Sequence, residues 1–481
     1  MKRIITSLLL VLISTHLLAQ VTWSAPITVY TGSGANLHSR ISLNRAGSPY
    51  VIWGRTDTRV YFSKWNGSSF STPIVPSGSL TVFAQSWAGP DMAAYGDTVY
   101  VSMKVTPENV NTNYSYLGHS YNGGITFSAP VRIDNIDTSL SRFPIVTTTS
   151  TGSPLVAFMK FNSSFGDAHY VVARSSDFGA TFSSDVLASG SAGTVCDCCP
   201  ATILSAGSTA IMLFRNNLSN IRDIWAGIST DGGITFANHL ATDNTNWFIS
   251  SCPASGPDGI VIGDSIYNVF MSTASGTARV YLSNSSISSL SSSTSLITGT
   301  IAGLSSQNYP RIANAGNAAA VVWKQNISGT NSLAFSFANN ISTGFSGYST
   351  IATGSGLMNA DVAMNNGNIH IVWEDDNTGN VMYLKGTYLP TSAEEINSKE
   401  LIEIYPNPAN DNFTVASNSN SNISYSYLID YTGKHYDLIP TLINGKPTFN
   451  IKTVPNGLYY FFMSNNSGKI FFSKLLIENK N

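Results

Sequence analysis

Charge is scarce in this chain. Asp, Glu, Lys and Arg make up 11% of its 481 residues, 25 basic against 27 acidic, for a formal net charge of -2 with histidine neutral. A nucleic-acid-binding surface needs a basic excess that is missing here, and solubility falls to Ser, Thr, Asn and Gly. Long apolar runs are absent after the first twenty residues, which argues against a membrane-spanning helix of about 20 apolar residues. Only four cysteines occur, three of them in Cys196-Asp197-Cys198-Cys199-Pro200 and the last at Cys252. No histidine stands near them in sequence, which argues against a catalytic thiol.

The N-terminus, MKRIITSLLLVLISTHLLAQ, sets Lys2 and Arg3 before a short apolar run that ends in small residues. This is the layout of a secretory signal peptide over residues 1–19, so the mature chain is expected to work in an oxidising compartment where cysteines pair.

What the chain has in quantity is repetition. Ser120–Phe127 (SYNGGITF), Ser175–Phe182 (SSDFGATF) and Ser229–Phe236 (STDGGITF) recur at 55 and 54 residues, and a weaker copy, Ser63–Phe70 (SKWNGSSF), stands 57 residues earlier. Between them lie short apolar runs such as SPYVIW, DTVYVSM, SPLVAFM and AAAVVW, bounded by Gly, Asn and Ser, as β-strands are. A proline recurs about 30 residues before each motif, at Pro90, Pro144, Pro200 and Pro253, with Pro310 somewhat closer to its unit. Proline suits the first residue of a strand. Units of about 50 residues with three or four strands predict an all-β propeller over residues 20–389, with seven blades favoured and six the alternative. Thr22-Trp23-Ser24-Ala25-Pro26 duplicates Thr126–Pro130, so the N-terminal strand is expected to complete the last blade and close the ring.

The repeat S-x-D-x-G-x-T-F resembles the Asp-box, or bacterial neuraminidase repeat, of sialidase-like propellers. The resemblance implies that Asp177 and Asp231 brace turns, that Gly179 and Gly233 permit the bend, and that this end of each blade is structural. The functional face is then the opposite one. Its loops hold a recurring residue at the end of the second strand, namely Arg55, Lys104, Lys160, Arg215 and Lys324, with Glu374 in the last unit. Arg40, Asp91, Arg142 and Arg311 stand near the starts of the first strands. Converging cations favour an anionic ligand, whereas long basic side chains also solvate loop tips. Sialidases bind a sugar carboxylate through three arginines, and Arg142, Arg215 and Arg311 are the candidates here, with Asp91, Glu374 and Asp375 as candidate catalytic carboxylates. No tyrosine stands out as a nucleophile. The expected ligand is an anionic glycan, either bound and hydrolysed or bound without catalysis; no cofactor is expected, and a monomer is.

A narrower resemblance covers the fourth and fifth units. A group of secreted bacterial sialidase-like propellers carries a Cys-x-Cys-Cys segment before an Arg-Asp-Arg-like loop, which Arg215, Arg222 and Asp223 match and Asn216 does not. The departure counts against a general acid at that place. For Cys196, Cys198, Cys199 and Cys252 two disulfides are the leading expectation, with a four-thiolate zinc or copper site as the alternative. Adjacent Cys198 and Cys199 are poor partners, because their Cα atoms are about 3.8 Å apart.

After a polar linker at residues 390–400, Tyr405-Pro406-Asn407-Pro408, Leu428–Lys434, Val454–Met463 and the closing SGKIFFSKLLIEN closely resemble the C-terminal sorting domain of type IX secretion cargo over 401–481. That resemblance implies a small sandwich of about seven strands. It also makes the type IX secretion machinery a partner.

Overall fold

The structure, a computed structural model, describes residues 21–134, 140–190, 194–345, 347–390, 400–416, 423–430, 434–465 and 470–478. The leader, and all but the ends of the linker, lie outside the described residues. The chain divides into two compact units, Met1–Pro390 and Thr391–Asn481.

The described residues of the first unit form seven antiparallel sheets, each a meander of consecutive strands. Their innermost strands are Asn36–Leu43, Asp91–Tyr95, Leu140–Thr148, Thr202–Ala206, Asp258–Ile262, Leu304–Ala315 and Leu357–Asn365, and we number the blades 1 to 7 in that order. These inner strands pack side by side in chain order, and that of blade 7 returns to that of blade 1. The strand Ile27–Thr31 pairs with Asn380–Thr387, so the first strands of the chain finish the last blade. Fold class is therefore all-β and propeller-like. Three anchors differ from expectation: Pro144 and Pro310 lie inside the inner strands Leu140–Thr148 and Leu304–Ala315, at their bulges, and blade 5 begins at Asp258, so Pro257 and not Pro253 leads its inner strand.

Register shows why the sequence repeats. The innermost strand pairs with the second strand through Arg40↔Ile52, Asp91↔Ser102, Ile145↔Ala157, Thr202↔Leu213, Asp258↔Val269, Arg311↔Val322 and Asp361↔Val372. The next residue on every second strand is large and buried: Trp53, Met103, Phe158, Phe214, Phe270, Trp323 and Trp373. Trp53, Met103, Phe214, Phe270, Trp323 and Trp373 pack in clusters shared with a neighbouring blade, and burying each is worth roughly 1.5–3 kcal/mol.

The repeated turn falls between the third and fourth strands, at the end remote from the inner-strand starts. Asp177 Oδ1 accepts from Thr181 N at 2.9 Å and its Oδ2 from Thr181 Oγ1 at 2.6 Å, while Gly179 N donates to Ser175 Oγ at 2.7 Å. Asp231 repeats this with Thr235 at 2.9 and 2.7 Å. Gly179 and Gly233 have φ of +94° and +81°, the left-handed region that favours glycine. In blade 2, Asn122 Oδ1 accepts from Thr126 N at 3.0 Å, so an amide performs the same task. These donors hold the Asp177 carboxyl down to about 2 and that of Asp231 lower still. Stability from these carboxylates is present above their ordinary range and is lost as pH falls from there through their lowered folded values. We expect Asp177→Asn to keep most of the wild-type melting temperature and to weaken its fall below pH 4, whereas Asp177→Ala lowers it at every pH. Thermal melts from pH 2 to 7 check this; equal curves for both variants would refute it.

The second unit is a sandwich of two sheets. One runs Glu400–Leu401, Ile470–Ile477, Gly457–Asn465, Ile423–Asp430, His435–Asp437, and the other Ile404–Tyr405, Asn412–Val415, Lys446–Asn450, Pro440–Ile443. That is nine described strands where about seven were expected. Phe413 and Phe449 of the second sheet meet Phe461 of the first at 4.8 and 4.9 Å between ring centroids, forming the core.

Candidate functional site

A local break in the ladder shapes the channel mouth. Inner-strand pairing slips between Leu37 and Arg40, Arg142 and Ile145, Asn308 and Arg311, and Met358 and Asp361. Within each slip one residue takes a left-handed backbone: His38, Phe143, Tyr309 and Asn359, with φ of +59°, +51°, +54° and +45°. Such conformations are unfavourable for bulky residues and concentrate at sites that re-aim a side chain. All four line one cavity of about 200 Å³, together with Trp87, Arg40, Asp91, Asp258 and Arg311. Trp87 is half-buried and meets Phe143 edge-on at 5.4 Å.

The charged floor of this cavity is self-neutralised. Asp91, Asp258 and Asp361 each accept from the backbone N–H of the next blade around the ring, Val146 at 3.0 Å, Ile312 at 2.8 Å and Ile41 at 3.0 Å. Arg311 Nε sits 2.9 Å from Asp361 and 3.4 Å from Asp258, and Arg40 Nε lies 3.9 Å from Asp91. Burial pushes the Asp91 and Asp258 carboxyls up; Arg311 pulls both back, and Arg40 helps it at Asp91. Burial and both guanidiniums hold His38 well below its ordinary range, so it is neutral. Two lining carboxyl groups, Asp91 and Asp258, thus stand with two lining guanidiniums, and Asp361 holds Arg311 from outside the lining.

Most of the expected ligand-binding cations are spent inside the scaffold. Arg215 is fully buried and donates to the carbonyls of Ser255, Arg222 and Met271 at 3.0, 2.6 and 2.8 Å, stapling blade 4 to blade 5. Lys104 is buried and reaches Ser141 at 3.2 Å in blade 3, and burial pulls it down to about 8. Lys160 pairs with Asp185 at 3.1 Å, Lys324 donates to the Met358 thioether at 2.8 Å, and Arg55 reaches Asn36 at 3.2 Å. Arg142 pairs with Glu108 and donates to the Asp197 carbonyl at 3.3 Å. The expected arginine triad is therefore not assembled: of Arg142, Arg215 and Arg311, only Arg311 lines the cavity. Glu374 is fully buried behind Asn359, which donates to it at 2.8 Å, and Asp375 caps a turn through Asn377 N at 3.1 Å. Neither lines the cavity. Asp91 does, as an inter-blade clasp.

The aromatic lining was missed in sequence. A signal was present: Phe143 and Tyr309 each precede an anchor proline, and Asp91 and Asp258 each follow one.

Beside this mouth lie the cysteines. Cys198 is bonded to Cys252 with Cα atoms 6.3 Å apart, whereas Cys196 and Cys199 are buried thiols whose sulfurs are 2.7 Å apart. Arg222 donates to Cys196 Sγ at 3.0 Å and to the Ile249 carbonyl at 3.1 Å. Asp223 is buried and accepts from Trp247 N at 2.9 Å, and Asn216 Oδ1 accepts from Asp223 N at 2.9 Å. The hydrogen bond from Cys199, helped by Arg222 and Arg215, pulls the Cys196 thiol down to about 7 against its burial.

Residues 403–478 match the secretion system C-terminal sorting domain family. The tail is a type IX sorting domain. It marks the chain for export, to the cell surface or beyond, and no described helix is long and apolar enough to cross a membrane. No curated protein matches the chain. Among solved structures, one of unknown function from Dyadobacter fermentans is 12% identical, with 64% of this chain and 95% of that one covered at a TM-score of 0.44. A Hadza microbial sialidase is 13% identical, with 74% and 66% covered at 0.44. An ulvan lyase bound to a glucuronate–sulfated rhamnose unit is 11% identical, with 75% and 96% covered at 0.49. The propeller architecture rests on the seven sheets, the side-by-side packing of their inner strands and the pairing of the first strands with the last.

Proposed function

We propose that the exported propeller binds the terminal sugar of a glycan in the channel mouth, without hydrolysing it. The observation that carries this reading is the cavity itself, where Trp87, Phe143 and Tyr309 stand over a floor of paired carboxylates and guanidiniums. Aromatic faces stack on the C–H faces of a sugar ring, and the polar floor hydrogen-bonds its hydroxyls. A volume of about 200 Å³ holds one ring and not an oligosaccharide, which favours a chain end. Because the lining carboxylates and guanidiniums already pair with one another, no guanidinium is left free for a sugar carboxylate, and a neutral or amino sugar suits the floor better than an acidic one. Catalysis finds little support, since each floor aspartate already accepts a backbone N–H and Glu374 does not reach the cavity.

A glycan array probed with the purified full chain tests this. Neutral or amino terminal sugars should be retained, and Trp87→Ala should weaken binding by about tenfold or more, as an aromatic anchor does. Retention of sialylated glycans alone, or release of sialic acid from a fluorogenic sialoside, would replace this reading with an anionic-glycan or sialidase one. Binding unchanged in Trp87→Ala would remove the cavity from consideration.

A further inference from the structure

The four cysteines converge more closely than one disulfide requires. Their sulfurs, from Cys196, Cys198, Cys199 and Cys252, all lie within 4.8 Å of one another. A disulfide between Cys198 and Cys252 needs no further thiol beside it, yet two buried thiols stand against it, with Cys196 Sγ 3.6 Å from Cys198 Sγ. We propose that the fully reduced cluster is a binding site for one thiophilic d10 cation, Zn²⁺ or Cu⁺, and that the Cys198–Cys252 disulfide is its oxidised, metal-free form.

Three observations carry this. The donor set is four soft sulfurs at one point, the set such cations select. The surroundings supply the opposite charge: four thiolates around Zn²⁺ leave a charge of two minus, and two buried guanidiniums, Arg222 and Arg215, flank the cluster. Arg222 touches Cys196 Sγ at 3.0 Å, and neither arginine has an ion-pair partner among the described residues. Access is graded as well, since Cys252 is exposed and Cys198 half-buried, while Cys196 and Cys199 form the closed floor.

The interconversion balances. A phosphine reductant breaks the Cys198–Cys252 bond, giving two thiols while the phosphine takes up the oxygen of water to become its oxide. The four thiols then release four protons on binding Zn²⁺. In the reverse direction hydrogen peroxide oxidises the Cys198 and Cys252 thiolates to their disulfide and takes up two protons to become two waters, while Cys196 and Cys199 take up two more to return to thiols and the cation leaves.

The test uses the full chain, free of any affinity tag, in two preparations. In the first, exported protein is reduced anaerobically with a phosphine and dialysed against Zn²⁺ or against Cu⁺, and the retained metal is counted per chain. In the second, the chain is produced without residues 1–19 in a reducing cytoplasm and analysed as isolated. We expect about one equivalent of Zn²⁺ or Cu⁺ in both preparations, the two dialyses deciding which, and its loss on adding peroxide, with Co²⁺ giving the visible bands of a tetrahedral thiolate site. Cys252→Ser should lose the metal, and Arg222→Ala should weaken retention by about tenfold as an outer partner does; circular dichroism confirms that each variant keeps its sheets. Four titratable thiols on folded protein without retained metal would overturn the proposal, as would equal retention by Cys252→Ser. The outcome is independent of sugar binding.

Discussion

Deleting residues 21–31 is expected to abolish cooperative unfolding of the propeller. These residues supply the outer strands of blade 7, pairing Ile27 with Tyr383, Thr28 with Met382 and Tyr30 with Val381. They also bind the two neighbouring blades. Trp23 meets Phe335 of blade 6 edge-on at 4.8 Å, and Tyr30 packs on Trp53 of blade 1 at 5.3 Å with Arg55 above its ring at 5.0 Å. Val29 is buried in the same cluster. Each large apolar side chain removed from water contributes up to about 1.5–3 kcal/mol, so four of them approach the ~5–15 kcal/mol by which a domain exceeds its unfolded chain. Deletion adds an open sheet edge to that loss, and an unpaired edge aggregates. Thermal melts followed by circular dichroism check the expectation, and a synthetic peptide of residues 21–31 should restore a cooperative transition by strand addition. A deleted chain that melts at the wild-type temperature would show that the ring holds without its closing strand.

That closing strand was legible because it repeats. Thr22–Pro26 copies Thr126–Pro130, and a duplicated end-of-blade segment at the front of a chain has one use in a ring. Spacing of the S-x-D-x-G-x-T-F turns set the blade length, and the ordered motifs from Tyr405 onward identified the tail. The site was less legible, for a physical reason. Whether a basic side chain at a strand end reaches solvent or the next blade depends on that blade, which lies some fifty residues away in sequence. Arg215 and Lys104 look alike as loop cations in the sequence, yet both are buried and spent on neighbouring backbone and hydroxyl groups. Arg311 likewise finds its two partners on blades 5 and 7, on either side of its own. The aromatic lining depends on backbone bulges at Phe143 and Tyr309, and a pattern of alternating residues carries no trace of a left-handed φ.

Glu374 is expected to make the propeller less stable as pH rises from 6.5 to 8, and Glu374→Gln to remove that trend. Its carboxyl has no exposed surface, accepts from Ser39 N and from Asn359 Nδ2, and is pushed up to about 8. Burial is the leading cause, aided by Asp376 and opposed by the two hydrogen bonds and Arg40. The sign follows from proton counting: above its ordinary range near 4.5 the unfolded carboxyl has lost its proton while the folded one keeps it, so each step up in pH favours the unfolded chain until the folded group ionises near 8. Below pH 6.5 the trend is masked by His370, which burial pulls down to about 4 and which therefore acts in the opposite sense. Between pH 6.5 and 8 the stability of Glu374→Gln relative to wild type should rise by about 2 kcal/mol, since one pH unit across a single titrating group is worth about 1.4 kcal/mol. Urea unfolding at pH 6.5, 7.2 and 8 measures the difference, and curves that stay parallel would mean that Glu374 is ionised in the folded protein. A neutral Glu374 therefore adds no charge behind Asn359, which lines the mouth and donates to it.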